Sequence, residues 1–168
     1  MNIWFFIILI LAISLILGPI AMLKPKPAQK RKEALRHYAQ GKGLRFTLRK
    51  LPKLKTDIEE PGVCPVYYLA PTAQMQGLPT WVLVRTQYEH DGNFYREWDW
   101  YNEHRPGQAV SEKLRDYLPQ LPDSVNVITQ GEAGTSVFWS EKEDEGMVDL
   151  IVQMLGDLQV TASAEPSM

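Results

Sequence analysis

The stretch VNVITQGEAGTSVFWSEKEDEGMVDLIVQMLGDL, residues 125–158, decides the fold. Val125 to Thr129 and Thr135 to Ser140 are β-type runs joined across Gly131-Glu132-Ala133-Gly134. Two such runs around a short glycine-containing loop read as an antiparallel hairpin. Beyond them, Met147, Val148, Ile151, Met154, Leu155 and Leu158 recur at the spacing of one helix face. Glu143, Asp144 and Glu145 stand at the start of that helix, where its dipole favours negative charge. A hairpin followed by a helix with a single apolar face implies a helix laid on an antiparallel sheet, an α+β arrangement in two layers.

Upstream the same logic gives six more elements. Ala28 to Gln40 reads as a helix with a narrow apolar stripe at Ala34, Leu35, Tyr38 and Ala39, closed by Gly41 or Gly43. Leu44 to Leu48 alternates as a half-buried strand, and Val63 to Leu69 is strand-like. Lys53 to Gly62 between them reads as a polar loop. Trp81 to Gln87 and Phe94 to Tyr101 form another hairpin around Asp91-Gly92. Ser111 is placed as the cap of a helix reaching Leu118, with Val110, Leu114, Tyr117 and Leu118 on its buried side. The order is α-β-β-β-β-α-β-β-α, with the amphipathic helices on one face of a mainly antiparallel sheet.

The amino-terminal region has a different character. From Ile3 to Leu23 there is no charged residue, and 14 of the 21 positions are Ile, Leu or Phe. At about 1.5 Å per residue this is about 31 Å of helix, against roughly 30 Å of bilayer hydrocarbon. The expectation is one transmembrane helix over residues 3–23, followed by a stalk at 24–27, a soluble α+β domain at 28–160 and a loose tail at 161–168. A cleaved signal peptide fits less well, because a basic leader and a small-x-small cleavage pattern are missing. Lys24, Lys26, Lys30, Arg31, Lys32 and Arg36 follow the apolar run. The positive-inside rule then places the N-terminus outside and the domain in the cytoplasm. This layout resembles small bacterial inner-membrane proteins, without matching a family by motif.

Charge is split along the chain. The overall formal charge is −2, yet residues 24–55 carry 12 Lys or Arg and one acid, and residues 56–168 carry 6 Lys or Arg and 19 acids. The basic segment suits an anionic lipid surface, with Lys24, Lys26, Lys30, Arg31, Lys32 and Arg36 as lipid-contacting residues. The acidic remainder argues against nucleic acid as a partner. The single cysteine, Cys64, excludes an internal disulfide and a cysteine-based zinc site.

Catalytic signatures are sparse. Gly41-Lys42-Gly43 lacks the phosphate-loop spacing, and Gly134-Thr135-Ser136 lacks a nucleophile elbow. His90 and His104 bracket a strand that would hold them apart, so no metal site is assigned. No cofactor is implied. If Phe94 to Tyr101 is a continuous strand, Phe94, Arg96, Trp98 and Trp100 share one face, and Tyr95, Glu97, Asp99 and Tyr101 share the other. Glu97 with Asp99 is then the one candidate acid pair for a hydrolase, and pairing of these acids with Arg85 is the bland alternative. Trp98, Trp100, Tyr95 and Tyr101 form the candidate binding patch, because Trp and Tyr are favoured at interfaces. The reading is a membrane-anchored accessory or assembly protein acting by protein–protein contact, with a membrane-protein partner. A tethered hydrolase and an anionic-lipid sensor are the alternatives.

Overall fold

A computed structural model describes residues 3–22, 27–54, 57–86 and 88–164. The chain divides into two compact units, Met1–Ala34 and Leu35–Met168.

The first unit contains helix α1, Ile3–Met22. Here the membrane-spanning expectation for residues 3–23 is corrected: among the described residues no helix is long and apolar enough to cross a membrane. The single-pass topology, the cytoplasmic placement of the domain and the inner-membrane location were inferred from that span and are withdrawn with it. Of the stalk placed at 24–27, residues 24–26 lie outside the described residues. Pro27 opens helix α2, Pro27–Gly41, a position where proline's fixed φ and missing N–H are well tolerated.

The second unit is built on a six-stranded sheet with strand order β1-β2-β6-β5-β3-β4. The strands are β1 (Arg45–Lys50), β2 (Val63–Leu69), β3 (Trp81–Arg85), β4 (Trp98–Trp100), β5 (Val125–Gly131) and β6 (Gly134–Trp139). Every neighbouring pair is antiparallel. Helices α3 (Gln108–Tyr117) and α4 (Glu145–Ala164) complete it, with the residues of α2 from Leu35 onward. The element order and the antiparallel α+β architecture are those expected from the pattern of the sequence.

Register explains which residues are inside. Tyr67 stands opposite Val137, Ile128 opposite Val137 and Leu83, and Leu83 opposite Trp100. These positions share one sheet face and enter the main core with Trp81, Trp98 and Trp139. Helix α4 covers that face with Met147, Val148, Ile151, Met154, Leu155 and Leu158, all buried. Side chains of this kind contribute about 1.5–3 kcal/mol each when fully buried. The opposite face holds a smaller cluster of Cys64, Val66, Val84, Val127 and Phe138, with Leu51 and Leu54 partly buried against it.

The β5–β6 turn shows why glycines flank Glu132-Ala133. A Cβ on Gly131 would sit 2.1 Å from the Thr80 hydroxyl oxygen. Gly134 has φ +102°, and a Cβ there would lie 2.2 Å from the Leu69 carbonyl oxygen. Only glycine serves both positions without displacing the backbone of the neighbouring segments.

Several boundaries move. The run Phe94 to Tyr101 is not one strand: only Trp98–Trp100 is, and Tyr95 and Trp98 exchange backbone hydrogen bonds around a two-residue turn. Arg96 in that turn has φ +48°. Ser111 does not cap α3. Gly107 occupies the cap position, and the Ser111 hydroxyl donates back to its carbonyl at 3.0 Å. The expected tail at 161–168 is helical as far as Ala164, and residues 165–168 lie outside the described residues.

A buried carboxylate closes the top of the sheet. Just past β6, Glu141 takes φ +58° and its side chain is fully buried. It receives two hydrogen bonds from Arg36, at 2.6 and 2.8 Å, and one from the Tyr67 hydroxyl at 2.7 Å. The guanidinium also lies 4.3 Å over the Phe46 ring. The bond to Glu141 raises the Arg36 pKa. Burial, and then the bond to Glu141, push the Tyr67 hydroxyl well above its usual range. Arg36 thus belongs to the core network and not to a lipid-facing collar. Tyr117, by burial and then its 2.6 Å bond to Asp157, is pushed up to about 12.

Two predictions follow from these contacts. Arg36→Met leaves the Glu141 carboxylate buried without its cation and should cost about 2–4 kcal/mol in urea unfolding. Glu141→Gln should cost less, because the Arg36 side chain is 31% exposed and keeps water. An equal or reversed ranking would contradict the clamp. The tyrosines set an alkaline limit. Folded Tyr67 and Tyr117 hold their protons more tightly than the unfolded chain, whose tyrosines ionise near 10. Their stabilisation is complete below about pH 10 and is lost as pH rises through the folded values. Tyr117→Phe and Tyr67→Phe should flatten the fall in stability above about pH 10 and remove the late step in tyrosine absorbance.

Candidate functional site

The structure disperses the four residues of the expected binding patch. Trp98 is 1% exposed and belongs to the core. Tyr95 is half-buried beside it. Tyr101, beyond the end of β4, is 48% exposed. Trp100 alone lines a groove. The four do not form one surface, because the turn after Tyr95 breaks the alternation that would have aligned them.

Arg85 explains the burial of Trp98. Its guanidinium lies 4.7 Å over the indole. It donates to Glu97 and Asp123 at 2.9 Å each, and to the Leu121 and Pro122 carbonyls at 3.0 and 3.1 Å. This one side chain ties the β3–β4 hairpin to the segment between α3 and β5. Arg85 Nε and Trp98 Nε1 remain buried without an acceptor among the described residues.

The acid pair is also separated. Glu97 sits in the turn and is held by Arg85. Asp99 accepts from the backbone N–H of Trp100 at 2.7 Å. Neither lines either of the two grooves described below. Among the described residues no cluster of three His, Cys, Asp or Glu side chains has the geometry to hold a metal.

Of the residues assigned to a lipid surface, Lys24 and Lys26 lie outside the described residues. Lys30 and Arg31 are exposed, Lys32 is half-buried, and Arg36 is committed to Glu141.

What the fold does assemble is a cationic and aromatic groove of about 390 Å³ between the β4 region and α3. Phe94 and Trp100 line one wall of it, with ring centroids 4.7 Å apart. Trp81 meets Trp100 edge-on at 5.7 Å and anchors the pair to the core. Arg105 stacks 5.2 Å over Trp100, and Arg115 stacks 4.9 Å over Phe94. Arg105 also donates to the Asn102 carbonyl and, at 3.0 Å, to that of His104. Among the described residues no carboxylate is ion-paired with Arg105 or Arg115. Gln108, Ser111 and Glu112 complete the lining, and Gln108 donates to Glu112 at 3.0 Å.

Stacking restrains a guanidinium while leaving its N–H edge free to meet a planar anion. A groove with two such groups is suited to carboxylates or phosphates. Arg105 and Arg115 escaped the sequence reading, which scored the helix reaching Leu118 only for its buried side. A usable signal was present: Gln108, Ser111, Glu112 and Arg115 recur at helical spacing on the polar side of an amphipathic helix.

A second groove of about 730 Å³ lies on the other sheet face, lined by Leu51, Leu54, Val84 and Val127 together with Ile58, Glu59 and Glu60. Four of these residues belong to the smaller hydrophobic cluster or pack against it. Its apolar lining is therefore the partial cover of that cluster, although Ile58 is 97% exposed. Comparison with known protein families, curated proteins and solved structures returns no match.

The two indoles make a test of this geometry. Trp98→Ala removes a fully buried side chain and should cost about 3–5 kcal/mol. Trp100→Ala, at a half-buried groove wall, should cost about 1–2 kcal/mol and leave the far-ultraviolet circular dichroism unchanged. Equal losses in chemical denaturation would show that Trp100 is core as well.

Proposed function

We propose that this chain is an accessory or assembly protein that acts by contact, and that the groove between β4 and α3 receives an acidic segment of a partner protein. The observation that carries the reading is the pair of stacked guanidiniums, Arg105 over Trp100 and Arg115 over Phe94. Cations held over rings lose little further side-chain freedom on binding, so each charge-assisted bond costs less to form. Trp and Arg beside one another in a concave site are also the residue types that dominate binding energy at interfaces. A hydrolytic reading finds less support, because Glu97 and Asp99 are engaged elsewhere and do not converge on a cleft.

The test uses the full chain and a fluorescein-labelled peptide alternating glutamate and glycine over six residues. Binding should weaken with added salt and fall at least tenfold in R105E/R115E. Ser111→Trp, which fills the groove without changing charge, should act in the same direction. An unchanged affinity in both variants, or equal binding of the lysine–glycine counterpart, would overturn the proposal.

A further inference from the structure

We infer that the outer edge of β1 is a second docking surface, which receives an extended acidic segment of another protein as a seventh strand. Strand β1 is the terminal strand of the sheet, and among the described residues it pairs only with β2. Over Arg45–Lys50 its alternate backbone N–H and C=O groups point away from β2, as in any antiparallel edge. Such an edge is a template for strand addition, with backbone bonds supplying affinity and side chains supplying selection. The other edge, β4, is three residues long and is followed at once by a departing chain.

The charge on β1 selects the occupant. Arg45, Arg49 and Lys50 are all exposed, and within Arg45–Lys50 there is no acid. A second copy is a poor fit. A two-fold between Thr47 and Leu48 would set Arg45 against Lys50, and a two-fold on Thr47 would set Arg45 against Arg49. Either register gathers six cations in one seam, and like charges directly opposite destabilise a sheet. An acidic strand reverses the sign of every one of these terms.

Register sharpens the pattern. Arg45, Thr47 and Arg49 share one face, and Phe46, Leu48 and Lys50 share the other. An antiparallel newcomer centred on Thr47 places carboxylates four residues apart opposite the two arginines. It places apolar residues beside Phe46 and Leu48, of which Leu48 is 56% exposed. The segment expected is therefore acid-apolar-x-apolar-acid in extended form. This inference rests on β1 and is independent of the groove between β4 and α3.

The experiment titrates the full chain with a labelled, end-blocked peptide Thr-Glu-Val-Thr-Val-Glu-Thr and with its Lys-for-Glu counterpart. Affinity is followed by fluorescence anisotropy and the contact by amide hydrogen exchange. The acidic peptide should slow exchange at alternate amides of β1, and R45E/R49E should weaken it at least tenfold. R105E/R115E should leave it unchanged, which separates this surface from the groove. R49E alone, a milder change at an exposed site, should give a smaller loss in the same direction. Three results would overturn the inference. They are equal binding of the basic peptide, no protection along β1, or loss of binding only in R105E/R115E.

Discussion

The bond between Arg36 and Glu141 is the constraint on which the second unit depends. A fully buried carboxylate is tolerable only with a cation and hydrogen bonds to replace its water. Arg36 supplies both, with Tyr67 as a further donor. The partners come from α2, β2 and the link after β6, so one charge fixes three segments that are distant in sequence. Phe46 of β1 joins through the ring beneath the guanidinium. The same corner holds a second carboxylate, Glu143, which accepts from both Trp139 Nε1 and the Ser124 hydroxyl at 2.5 Å. The link between β6 and α4 is thus held through two carboxylates, Glu141 bonded to Arg36 and Tyr67, and Glu143 to Trp139 and Ser124.

Much of the fold was legible because its devices are local. The glycines at 131 and 134, the alternation through β2 and β6, and the six apolar positions of α4 each specify their element without distant help. The misreadings share one cause: a pattern of charge or alternation does not reveal a contact made across the fold. Arg36 was placed with a basic run, because a run of cations looks the same whether or not one of them meets a buried acid. Glu143 reads with Asp144 and Glu145 as helix-dipole compensation, and Glu141, two residues before it, carries no pattern of its own. Arg96 at φ +48° interrupts a stretch whose alternation is otherwise strand-like, and with it goes the face that would have aligned Tyr95 with Tyr101. In α1 composition suggested a bilayer span, but among the described residues no helix is long and apolar enough to cross a membrane.

The candidate site was half legible for the same reason. Trp98 and Trp100 have equal claims in the sequence, two residues apart on one strand. Arg85 separates them in space. By stacking on Trp98 and bonding to Glu97, Asp123 and two carbonyls, it seals the inner indole beneath the segment after α3. Trp100, nearer the start of α3, meets Arg105 instead and stays at the groove wall. The difference between a core tryptophan and one that lines a groove is thus set by which arginine covers it and by what else that arginine bonds.

A division of labour among the arginines follows. Arg36 and Arg85 have carboxylate partners within the fold, and their stacking on Phe46 and Trp98 consolidates the core. Arg105 and Arg115 stack in the same manner over Trp100 and Phe94 without such partners among the described residues. The shared geometry does not by itself distinguish structure from recognition, since all four guanidiniums lie between 4.3 and 5.2 Å from their ring centroids. The carboxylate decides. In an acidic domain with many Asp and Glu side chains to offer, a stacked arginine that acquires none among the described residues is the kind of group that the proposed acidic partner would require.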